Sequence, residues 1–398
     1  MGRAVCRLVL SGYYGFGNSG DEAVLQSLIL ALRSEGDKAG LAIEPIVLSA
    51  DPARTEQMYG VQAVHRMKPA EILRAIRQSD GLISGGGSLL QDATGKFTIP
   101  YYLGIVRLAQ WLGKPTFIYS QGIGPVNRPV FFRPIRRIFS RCRYVSVRDQ
   151  ESAELLGRMG YTGKVDVVPD PVMGLPLGEG RAVPAQLAEA GWAGAAVLAA
   201  NGTGHAASKA LSPPIVGISV RYWNADRSEL AGIAQALIEL RRIRPVELRF
   251  LPFHPPTDTE ASQEVIRLMG VSAQEAPDVT VASGLDHPQE MLAQVADCSL
   301  IIGMRLHALI YAASQQVPIV GISYDPKIDQ FLNRLGIKAA ASTEHLDALA
   351  LANDAESLLN HRSEWLLEKQ PFIKQLKEKA HRPAQQIVDY LCRERGMA

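Results

Sequence analysis

The sequence of 398 residues contains little cysteine and none of the short motifs that cysteine usually forms. Its four cysteines are scattered, with no C-x-x-C arrangement: Cys6, Cys142, Cys298 and Cys392. This scatter argues against a zinc site or a disulfide framework and suits a reducing cytoplasm. No Asp-x-Asp motif or His/Asp cluster occurs at metal-ligand spacing, so we expect a reaction without a metal ion.

A signal peptide and a strong net charge are missing as well. The apolar run near the N-terminus is interrupted by Arg7 and leads into a glycine loop, which is not typical of a signal peptide. The formal net charge is +2, so any basic patch must be local and we expect no nucleic-acid partner. With 47% hydrophobic and 21% charged residues, the composition is that of a globular protein long enough for two domains.

Short apolar runs alternate with helical patterns along most of the chain. The first series is VCRLVLSG, IEPIVLSAD, DGLISGGG, PTFIYSQG, RYVSVRD and KVDVVPD, and the second, from Ile215, is PIVGISVRYWN, VELRFLPFHP, CSLIIGMRLH and PIVGISYD. Such alternation indicates βαβ units and mostly parallel sheets. We therefore predict an α/β fold with two Rossmann-like, doubly wound domains facing a cleft, the arrangement called GT-B.

The predicted domain boundaries follow the changes in composition. Residues 1–180 form the N-terminal α/β domain, and residues 213–362 form the C-terminal α/β domain. Residues 181–212 are rich in Ala, Gly and Pro and read as an interdomain linker. Residues 363–398 have the pattern of a charged amphipathic helix, and we expect this helix to pack back on the N-terminal domain.

The loop YGFGNSGDE after the first apolar run contains G-F-G-N-S-G, which fits the dinucleotide fingerprint G-x-G-x-x-G. Against a dinucleotide, Asp21 and Glu22 occupy the first helical turn and would repel a pyrophosphate. The acid expected about 20 residues further on is also missing, because Asp51 lies well beyond that spacing. Two other interpretations stay open: a turn with Asn18 or Ser19 as helix cap, or a loop that offers Asn18 and Asp21 to a sugar or an anion.

Three further strand ends carry glycine and polar residues, where a doubly wound sheet binds its ligands. The segment SGGGS around Gly86 could form an anion nest or a plain strand-to-helix turn. In SQGIGP, the glycines free the backbone and Gln121 could point towards a ligand. Arg148 follows RYVSV and could bind a carboxylate or phosphate bidentately, or form a salt bridge with a neighbouring acid.

The segment GMRLHAL is the most informative of the strand ends. It places Arg305 and His307 at the start of a helix, where the helix dipole opposes a cation. Two basic groups at such a position suggest an anionic ligand or proton transfer, and the alternative is a core histidine with a surface arginine. Lys327, Arg221 and His254 follow other strands of the same domain, and together these residues predict a site for a small, multiply charged anion.

Seven arginines lie between positions 128 and 148. An apolar face at helical spacing accompanies them: Phe131, Phe132, Ile135, Ile138 and Phe139. Such a basic amphipathic segment could lie on an anionic membrane through residues 128–143. The alternative is a helix whose apolar face packs on the core while its basic face is solvated.

The motifs GYYGFGNSGDEA, ISGGGSLLQD, SQGIGP, SVRDQES, PDPV, GMRLHALI and GISYDPKI resemble those of the polysaccharide pyruvyl transferase family, in the family's order. The closest resemblance is to the CsaB-type enzymes that modify bacterial cell-wall polymers. The resemblance implies a GT-B-like fold and transfer of pyruvate from phosphoenolpyruvate, as a ketal, onto two sugar hydroxyls. For the CsaB type, it implies a β-ManNAc acceptor on a lipid-diphosphate-linked saccharide and a ketal that S-layer homology domains recognise.

Match to the family's motifs marks Arg148, Arg305, His307 and Lys327 as functional. Together with the strand-end residues, the expected site comprises catalytic His307 and Arg148, donor-binding Arg305, Lys327, Arg148 and Arg221, and acceptor-binding Asn18, Asp21, Gly86, Gln121 and His254. The N-terminal domain is then the acceptor side and the C-terminal domain the donor side. Segment 202–211 matches no motif of the family.

We expect no cofactor apart from phosphoenolpyruvate as co-substrate, and a cytoplasmic location at the inner face of the membrane. Two other functions fit the same motifs: a nucleotide-sugar glycosyltransferase of GT-B fold and a non-catalytic polysaccharide-binding protein.

Overall fold

The computed structural model describes residues 3–93, 95, 97–178, 213–271, 276–284 and 287–397. The chain divides into two compact units, Met1–Leu175 with Lys374–Ala398 and Pro176–Ile373. The predicted linker 181–212, together with segment 202–211, lies outside the described residues.

The first unit is built on a seven-stranded parallel sheet. Its strands are β1 (Ala4–Tyr14), β2 (Leu41–Ser49), β3 (Gln62–His65), β4 (Gly81–Gly85), β5 (Thr116–Gln121), β6 (Tyr144–Val147) and β7 (Asp166–Val167). They lie in the order β3-β2-β1-β4-β5-β6-β7. The central strands read as continuous apolar runs because helices cover both faces of a parallel sheet. The strand order reverses between β1 and β4, which is where such sheets bind ligands.

Six α-helices of the described chain connect these strands. They are α1 (Ser19–Lys38), α2 (Pro52–Tyr59), α3 (Pro69–Gln78), α4 (Thr98–Trp111), α5 (Phe132–Phe139) and α6 (Gln150–Arg158). One core cluster joins β4 to α3, α4, α5 and α6 through Leu82, Ile72, Tyr102, Ile135 and Leu156, all of them buried. Full burial of one such aliphatic side chain contributes about 1.5–3 kcal/mol, so this cluster holds the helices firmly on the sheet.

The second unit repeats the architecture with six parallel strands. They are β8 (Ile215–Ser219), β9 (Glu247–Phe250), β10 (Val279–Val281), β11 (Leu300–Gly303), β12 (Ile319–Ser323) and β13 (Ala341–Ser342), in the order β10-β9-β8-β11-β12-β13. The order reverses between β8 and β11. The ends of β9, β8, β11 and β12 therefore lie side by side at one edge.

The helices of the second unit cover its sheet in the same way. They are α7 (Ser228–Ile243), α8 (Thr257–Leu268), α9 (Pro288–Ala296), α10 (Leu306–Ser314), α11 (Pro326–Arg334) and α12 (Ala348–Asn360). The long helix α13 (Arg362–Glu394) follows. From Lys374 onwards it belongs to the first unit, where Arg382 Nε lies 3.3 Å from Asp166 Oδ2.

The arginine-rich segment folds as a short 3-10 turn followed by α5. Its apolar face packs on the core, with Ile135, Ile138 and Phe139 buried, while Arg133 and Arg137 are exposed. Of the two interpretations of this segment, the structure therefore favours the core-facing helix with a solvated basic face. Among the described residues, no helix is both long and apolar enough to cross a membrane.

Candidate functional site

In each unit, the loops that follow the central strands carry the polar residues that the sequence singled out. In the first unit these are the loops after β1, β4, β5 and β6. In the second they follow β8, β9, β11 and β12. Because parallel strands end at the same edge of a sheet, each set gathers in one place.

The loop between β1 and α1 is closed by its own hydrogen bonds. Gly15 N donates to Glu22 Oε1 at 2.8 Å, and the Tyr59 hydroxyl donates to Glu22 Oε2 at 2.9 Å. Gly15 has φ 81°, and a Cβ there would lie 2.1 Å from Ser49 Oγ, so only glycine fits. Glu22 therefore shapes the loop, and its carboxylate is occupied by protein donors.

Asn18 and Asp21 have different surroundings in this loop. Asn18 Oδ1 accepts from Gly20 N at 3.0 Å and caps α1, which is the helix-cap role considered for it. Asp21 lies against the β4 loop, since a Cβ on Gly87 would be 3.1 Å from Asp21 Oδ1. Burial raises the pKa of Asp21 to about 7, with Asp170 adding to the effect and Arg148 opposing it.

Close packing against α1 requires a glycine at position 86. Its φ is 74°, and a Cβ at this position would overlap Val24 Cγ1 at 1.8 Å. The glycine thus allows α1 to approach the β4 loop closely. Binding of an acceptor by this residue stays a prediction.

Arg148 is held among acids and a hydroxyl group at the end of β6. Its Nη2 donates to Ser88 Oγ at 2.8 Å, its Nη1 lies 3.9 Å from Asp170 Oδ2, and its Nε donates to Asp149 Oδ2 at 3.4 Å. A Cβ on Gly122 would lie 2.8 Å from Nε, so glycine makes room for the guanidinium. The salt bridge considered for Arg148 is present, and it fixes this side chain at the strand edge.

Gln121 sits at an irregularity in the sheet. The register of β5 against β6 shifts between Ile118 and Gln121, and Ser120 adopts φ 46°, which a non-glycine residue rarely does. The side chain of Gln121 is 1% exposed, and neither amide atom has a hydrogen-bond partner among the described residues. Each unsatisfied buried polar group costs about 1–3 kcal/mol, and strain of this kind is concentrated at functional sites.

The second unit fixes Arg305 with a buried carboxylate. Arg305 occupies the N-cap position of α10, and its Nε donates to Asp258 Oδ2 at 2.9 Å while Nη2 donates to Oδ1. Asp258 is fully buried and also accepts from His254 N at 3.0 Å. This bidentate pair sets the plane of the guanidinium. Burial, and then the Arg305 charge, lowers the pKa of His254.

Two more cations share an aromatic pair at the same edge. Arg221 Nη1 donates to the Tyr324 hydroxyl at 3.1 Å, and its guanidinium carbon lies 5.2 Å from the Trp223 ring centre and 5.0 Å from that of Tyr324. Lys327 Nζ lies 5.6 Å from the Tyr324 ring and 3.1 Å from Asp325 Oδ2. The Trp223 and Tyr324 ring centres are 4.4 Å apart, so the cluster is ordered by cation–π contacts.

His307 lies in the first turn of α10 and is half-buried. The prediction that Arg305 and His307 stand at the start of this helix is confirmed. A helix N-terminus attracts anions, and here it adds to Arg221, Arg305 and Lys327. The arrangement can bind a small anion with more than one charge.

The predicted site residues thus fall into two groups. The first unit holds Asn18, Asp21, Gly86, Gln121 and Arg148, and the second holds Arg221, His254, Arg305, His307 and Lys327. His254, expected with the acceptor residues, lies beside the Arg305–Asp258 pair. Arg148, expected with the donor residues, lies among the acids of the first unit.

A family model for polysaccharide pyruvyl transferase matches residues 18–326. The chain belongs to the polysaccharide pyruvyl transferase family. The matched range includes the strand-end loops described above, apart from the start of the β1 loop. Lys327 is the residue directly after the matched range. No curated protein sequence matches the chain significantly.

Solved structures of low sequence identity share the fold of this pyruvyl transferase. The UDP-GlcNAc 2-epimerase of Neisseria meningitidis, bound to UDP-GlcNAc, has 11% identity, with 97% of this chain and 100% of that chain covered at a TM-score of 0.60. The UDP-GlcNAc 2-epimerase of Methanocaldococcus jannaschii has 14% identity, covers 97% and 99%, and has a TM-score of 0.63. Anabaena HepE, in complex with UDP and glucose, has 12% identity, covers 97% and 98%, and has a TM-score of 0.57. These likenesses confirm the GT-B-like fold class, with two Rossmann-like α/β domains, and nothing beyond the fold.

Sequence reasoning missed the acids that position the arginines of this pyruvyl transferase. Asp258 stands in TDTE, which reads as an ordinary helix start, and its partner Arg305 is 47 positions away. Asp170 stands in the family motif PDPV, which was a signal, although the motif alone gives it no partner. Within the part of the chain that the structure describes, no group of three or more His, Cys, Asp or Glu side chains could hold a metal ion.

Proposed function

We propose that this enzyme transfers pyruvate from phosphoenolpyruvate onto two hydroxyls of a sugar, as a ketal, and releases phosphate. The observation that carries the proposal is the cationic edge of the second unit, where Arg305 stands at the N-terminus of α10 and Arg221 and Lys327 follow the two neighbouring strands, β8 and β12. Phosphoenolpyruvate carries a carboxylate and a phosphate on a three-carbon frame. Its charge and small size suit this edge.

Two features of the second unit support donor binding at the cationic edge. The Arg305 plane is fixed by Asp258, so its remaining N–H groups can bind an oxyanion without further ordering. Arg221 and Lys327 are held against Tyr324 and can supply further positive charge. Arg148 is assigned to the donor by its match to the family motif SVRDQES, as a further ligand and catalytic group.

The reaction requires one proton on the methylene carbon of phosphoenolpyruvate, which turns it into a methyl group and makes C2 electrophilic. The first sugar hydroxyl attacks C2 and loses its proton. The C2–O bond to phosphate then breaks, the second hydroxyl attacks C2, and its proton leaves. One of the two hydroxyl protons replaces the proton given to carbon, and the other leaves with phosphate.

His307 is the residue we assign to this proton transfer. An imidazole can both give and take a proton under physiological conditions, which suits histidine to general acid–base catalysis. It lies in the first turn of α10, two residues after Arg305 in the chain. A proton donor is therefore available beside the residue proposed to bind the donor substrate.

The acceptor side is proposed to be the first unit. Asp21 offers a hydrogen-bonding group to sugar hydroxyls, and Gln121, whose buried amide has no partner among the described residues, is assigned to the acceptor by its position at the end of β5. The resemblance to CsaB-type enzymes supports a β-ManNAc unit on a lipid-diphosphate-linked saccharide as the acceptor. The ketal would then serve in anchoring S-layer proteins to the finished polymer.

The decisive experiment incubates the enzyme with phosphoenolpyruvate and a synthetic ManNAc-GlcNAc-diphosphate-lipid analogue. We expect phosphate release and an acceptor mass gain of one pyruvate minus one water. Saccharide binding without phosphate release would support a non-catalytic polysaccharide-binding protein instead. Phosphate release without acceptor modification would show that phosphoenolpyruvate is merely hydrolysed.

A lipid-linked acceptor also calls for contact with a membrane surface, which we propose for segment 128–143. The apolar face of this segment packs on the core, so the contact must use the arginines. Exposed Arg133 and Arg137 line, with Arg107 of α4, a cavity of about 370 Å³. Within the described residues, these three side chains form no ion pair with an acid, and they are open to anionic headgroups. The cysteines are free thiols, which supports a cytoplasmic location.

Vesicle sedimentation tests this contact. We expect binding to phosphatidylglycerol vesicles that is lost at high salt and lost in Arg133→Ala/Arg137→Ala. The control is Arg74→Ala/Arg77→Ala, which removes the same charge from the exposed side of α3. Equal loss in both variants would reduce the effect to net charge, and binding to neutral phosphatidylcholine would contradict the proposal.

A nucleotide-sugar enzyme is the second candidate, because the structural relatives include proteins solved with UDP or UDP-GlcNAc. Calorimetry with UDP distinguishes the two functions. Tight UDP binding or hydrolysis of a UDP-sugar would favour the glycosyltransferase. Binding of phosphoenolpyruvate but not of UDP supports the pyruvyl transfer proposed here.

A further inference from the structure

The loop after β1 presents a pair of stacked aromatic rings that the proposed reaction does not use. The ring centres of Tyr13 and Phe16 are 4.0 Å apart, with an angle of 9° between the rings. Tyr13 is 41% exposed and Phe16 is 42% exposed. Together the two stacked rings present one small contiguous apolar surface that a ligand can cover. We call this pair the Tyr13–Phe16 platform.

A buried arginine holds the platform in place. The Arg66 guanidinium carbon lies 5.2 Å from the Phe16 ring centre, 6.0 Å from that of Tyr13 and 4.6 Å from that of Tyr101. Arg66 is only 9% exposed, and no carboxylate of the described chain lies within ion-pair distance of it. Its Nη1 and Nη2 donate to Gly12 O and to the Tyr102 hydroxyl, each at 3.3 Å.

This arrangement makes the platform rigid before any ligand arrives. A buried cation without an acid is costly unless other groups compensate its charge. Here the compensation comes from aromatic faces, which cation–π attraction holds near the guanidinium. The rings are therefore ordered by Arg66, and a ligand that stacks on them loses little free energy to side-chain ordering.

The platform lies at the end of β1 and on the same β1–α1 loop as Asn18, and Asp21 follows in the first turn of α1. Tyr13 and Phe16 flank Tyr14, whose hydroxyl donates to Gly85 O at 2.7 Å at the end of β4. Phe16 comes two residues before Asn18 on the loop that leads into α1. Asp21 lies near enough to raise the pKa of Tyr102, although burial is the larger cause. A ligand bound at Asp21 could thus extend onto the two rings.

We propose that the Tyr13–Phe16 platform binds a neutral sugar ring of the acceptor, next to the sugar that receives the ketal. A pyranose has one face of polarised C–H groups, which suits the negative face of an aromatic ring, and hydroxyls around its edge. A cation is disfavoured because Arg66 lies beside the rings. This inference rests on the proposed function, since it assigns a subsite to the acceptor of that reaction.

The test compares an acceptor of two sugars with an acceptor of one. In Tyr13→Ala/Phe16→Ala, we expect the KM for the disaccharide acceptor to rise about tenfold or more, as for loss of stacking interactions. The KM for the monosaccharide acceptor, the KM for phosphoenolpyruvate and kcat should change less than about twofold. Equal effects on both acceptors, or none on either, would overturn the subsite.

Two matched variants separate stacking from folding. Tyr13→Phe keeps the aromatic ring and should leave the KM for the disaccharide unchanged. Tyr13→Leu keeps only an apolar side chain, and we expect it to raise that KM. Trp111→Ala removes a different aromatic side chain, 81% exposed on α4, and should change neither KM. If Tyr13→Leu behaved like Tyr13→Phe, general apolar contact would replace stacking and the proposal would fail.

A binding measurement tests the subsite without requiring catalytic turnover. Saturation-transfer NMR with the neutral disaccharide alone should show contact in the unmodified enzyme and none in Tyr13→Ala/Phe16→Ala. Disaccharide binding at the platform without any phosphate release from phosphoenolpyruvate would overturn the proposed reaction and leave the subsite. Loss of vesicle binding in the variant, with disaccharide contact retained, would assign the platform to lipid and overturn the subsite.

Discussion

The two sheets share one topology at their switch points, yet opposite charges gather at their edges. At the first edge, three acids surround one arginine: Asp21, Asp149 and Asp170 with Arg148. At the second, three cations and two histidines accompany two acids: Arg221, Arg305, Lys327, His254 and His307 with Asp258 and Asp325. The strand order determines where ligand-binding side chains stand, but the side chains alone determine which ligand they suit.

The two edges also differ in how their polar side chains are paired. At the cationic edge, Asp258 pairs with Arg305 and the Tyr324 hydroxyl accepts from Arg221. At the first edge, the Gln121 amide has no hydrogen-bond partner among the residues that the structure describes, and the pKa of Asp21 is raised. A preorganised cationic site suits a rigid, highly charged donor, whereas hydrogen-bonding capacity and one carboxyl group with a raised pKa suit a polyol.

Among the substitutions at the two edges, we expect His307→Ala at the cationic edge to have the largest effect on activity. We expect pyruvyl transfer to fall by about 10²–10⁴-fold, the usual contribution of a general acid or base, while phosphoenolpyruvate binding stays within a few fold. Phosphate release and calorimetry measure the two effects. The control is His361→Ala, an exposed histidine at the end of α12. Near-normal turnover of His307→Ala would remove the residue from the mechanism.

Arg305→Ala should weaken donor binding far more than acceptor binding. Loss of a bidentate charged partner typically costs about 2–5 kcal/mol in binding, which predicts a large rise in the Kd for phosphoenolpyruvate. The substitution also leaves Asp258 buried without its cation, which destabilises a fold by about 3–5 kcal/mol. Arg305→Met/Asp258→Asn avoids that charge and separates the two effects. Calorimetry that showed weaker acceptor binding instead would move the donor to the acidic edge.

Gln121→Leu tests the acidic edge, with opposite effects on stability and activity. Removing a buried amide without partners should stabilise the fold by about 1–3 kcal/mol, and the KM for the acceptor should rise. Denaturant unfolding and steady-state kinetics measure both quantities. Gln110→Leu is a matched control, because the Gln110 amide donates to Ile138 O at 2.9 Å and its loss should destabilise. Unchanged acceptor kinetics in Gln121→Leu would remove it from the site.

Most of the fold could be predicted from the sequence, because buried parallel strands read as apolar runs. The edge strands β3, β10 and β13 were missed, since they are short and partly exposed and have no clear apolar run. The fold class and the family are confirmed. Arg305 and His307 were placed correctly at a helix start because a glycine ends the apolar strand just before them.

The contacts that orient the site could not be predicted in the same way. Asp258 reaches Arg305 from another helix, and Arg66 reaches Phe16 from the loop after β3. Both contacts depend on how helices and loops pack, which local sequence patterns do not encode. The basic segment around α5 was open to two interpretations for the same reason, because an amphipathic pattern does not say whether its apolar face meets a core or a bilayer.

Asp21 should make the stability of the fold depend on pH. Its pKa is about 7 in the folded state against 3.8 as an ordinary aspartate, so the folded protein retains a proton that the unfolded chain releases. Stability is therefore lost as pH rises from about 4 to about 7, and the loss is constant above that. Asp21→Asn lacks the ionisable group, so its advantage over the unmodified enzyme should grow through this window. A shift of one pKa unit corresponds to about 1.4 kcal/mol. Because Asp21 is partly exposed and solvent screens its charge, we expect the unfolding free energy of Asp21→Asn to exceed that of the unmodified enzyme by about 2 kcal/mol at pH 7.5.

Urea unfolding at pH 4, 5.5 and 7.5 measures this window. Asp354→Asn, an exposed acid on α12, removes the same charge and should leave the pH dependence unchanged. Parallel stability curves for Asp21→Asn and the unmodified enzyme would mean that Asp21 ionises normally. The two edges would then differ in the balance of their acidic and basic residues and not in the protonation of Asp21.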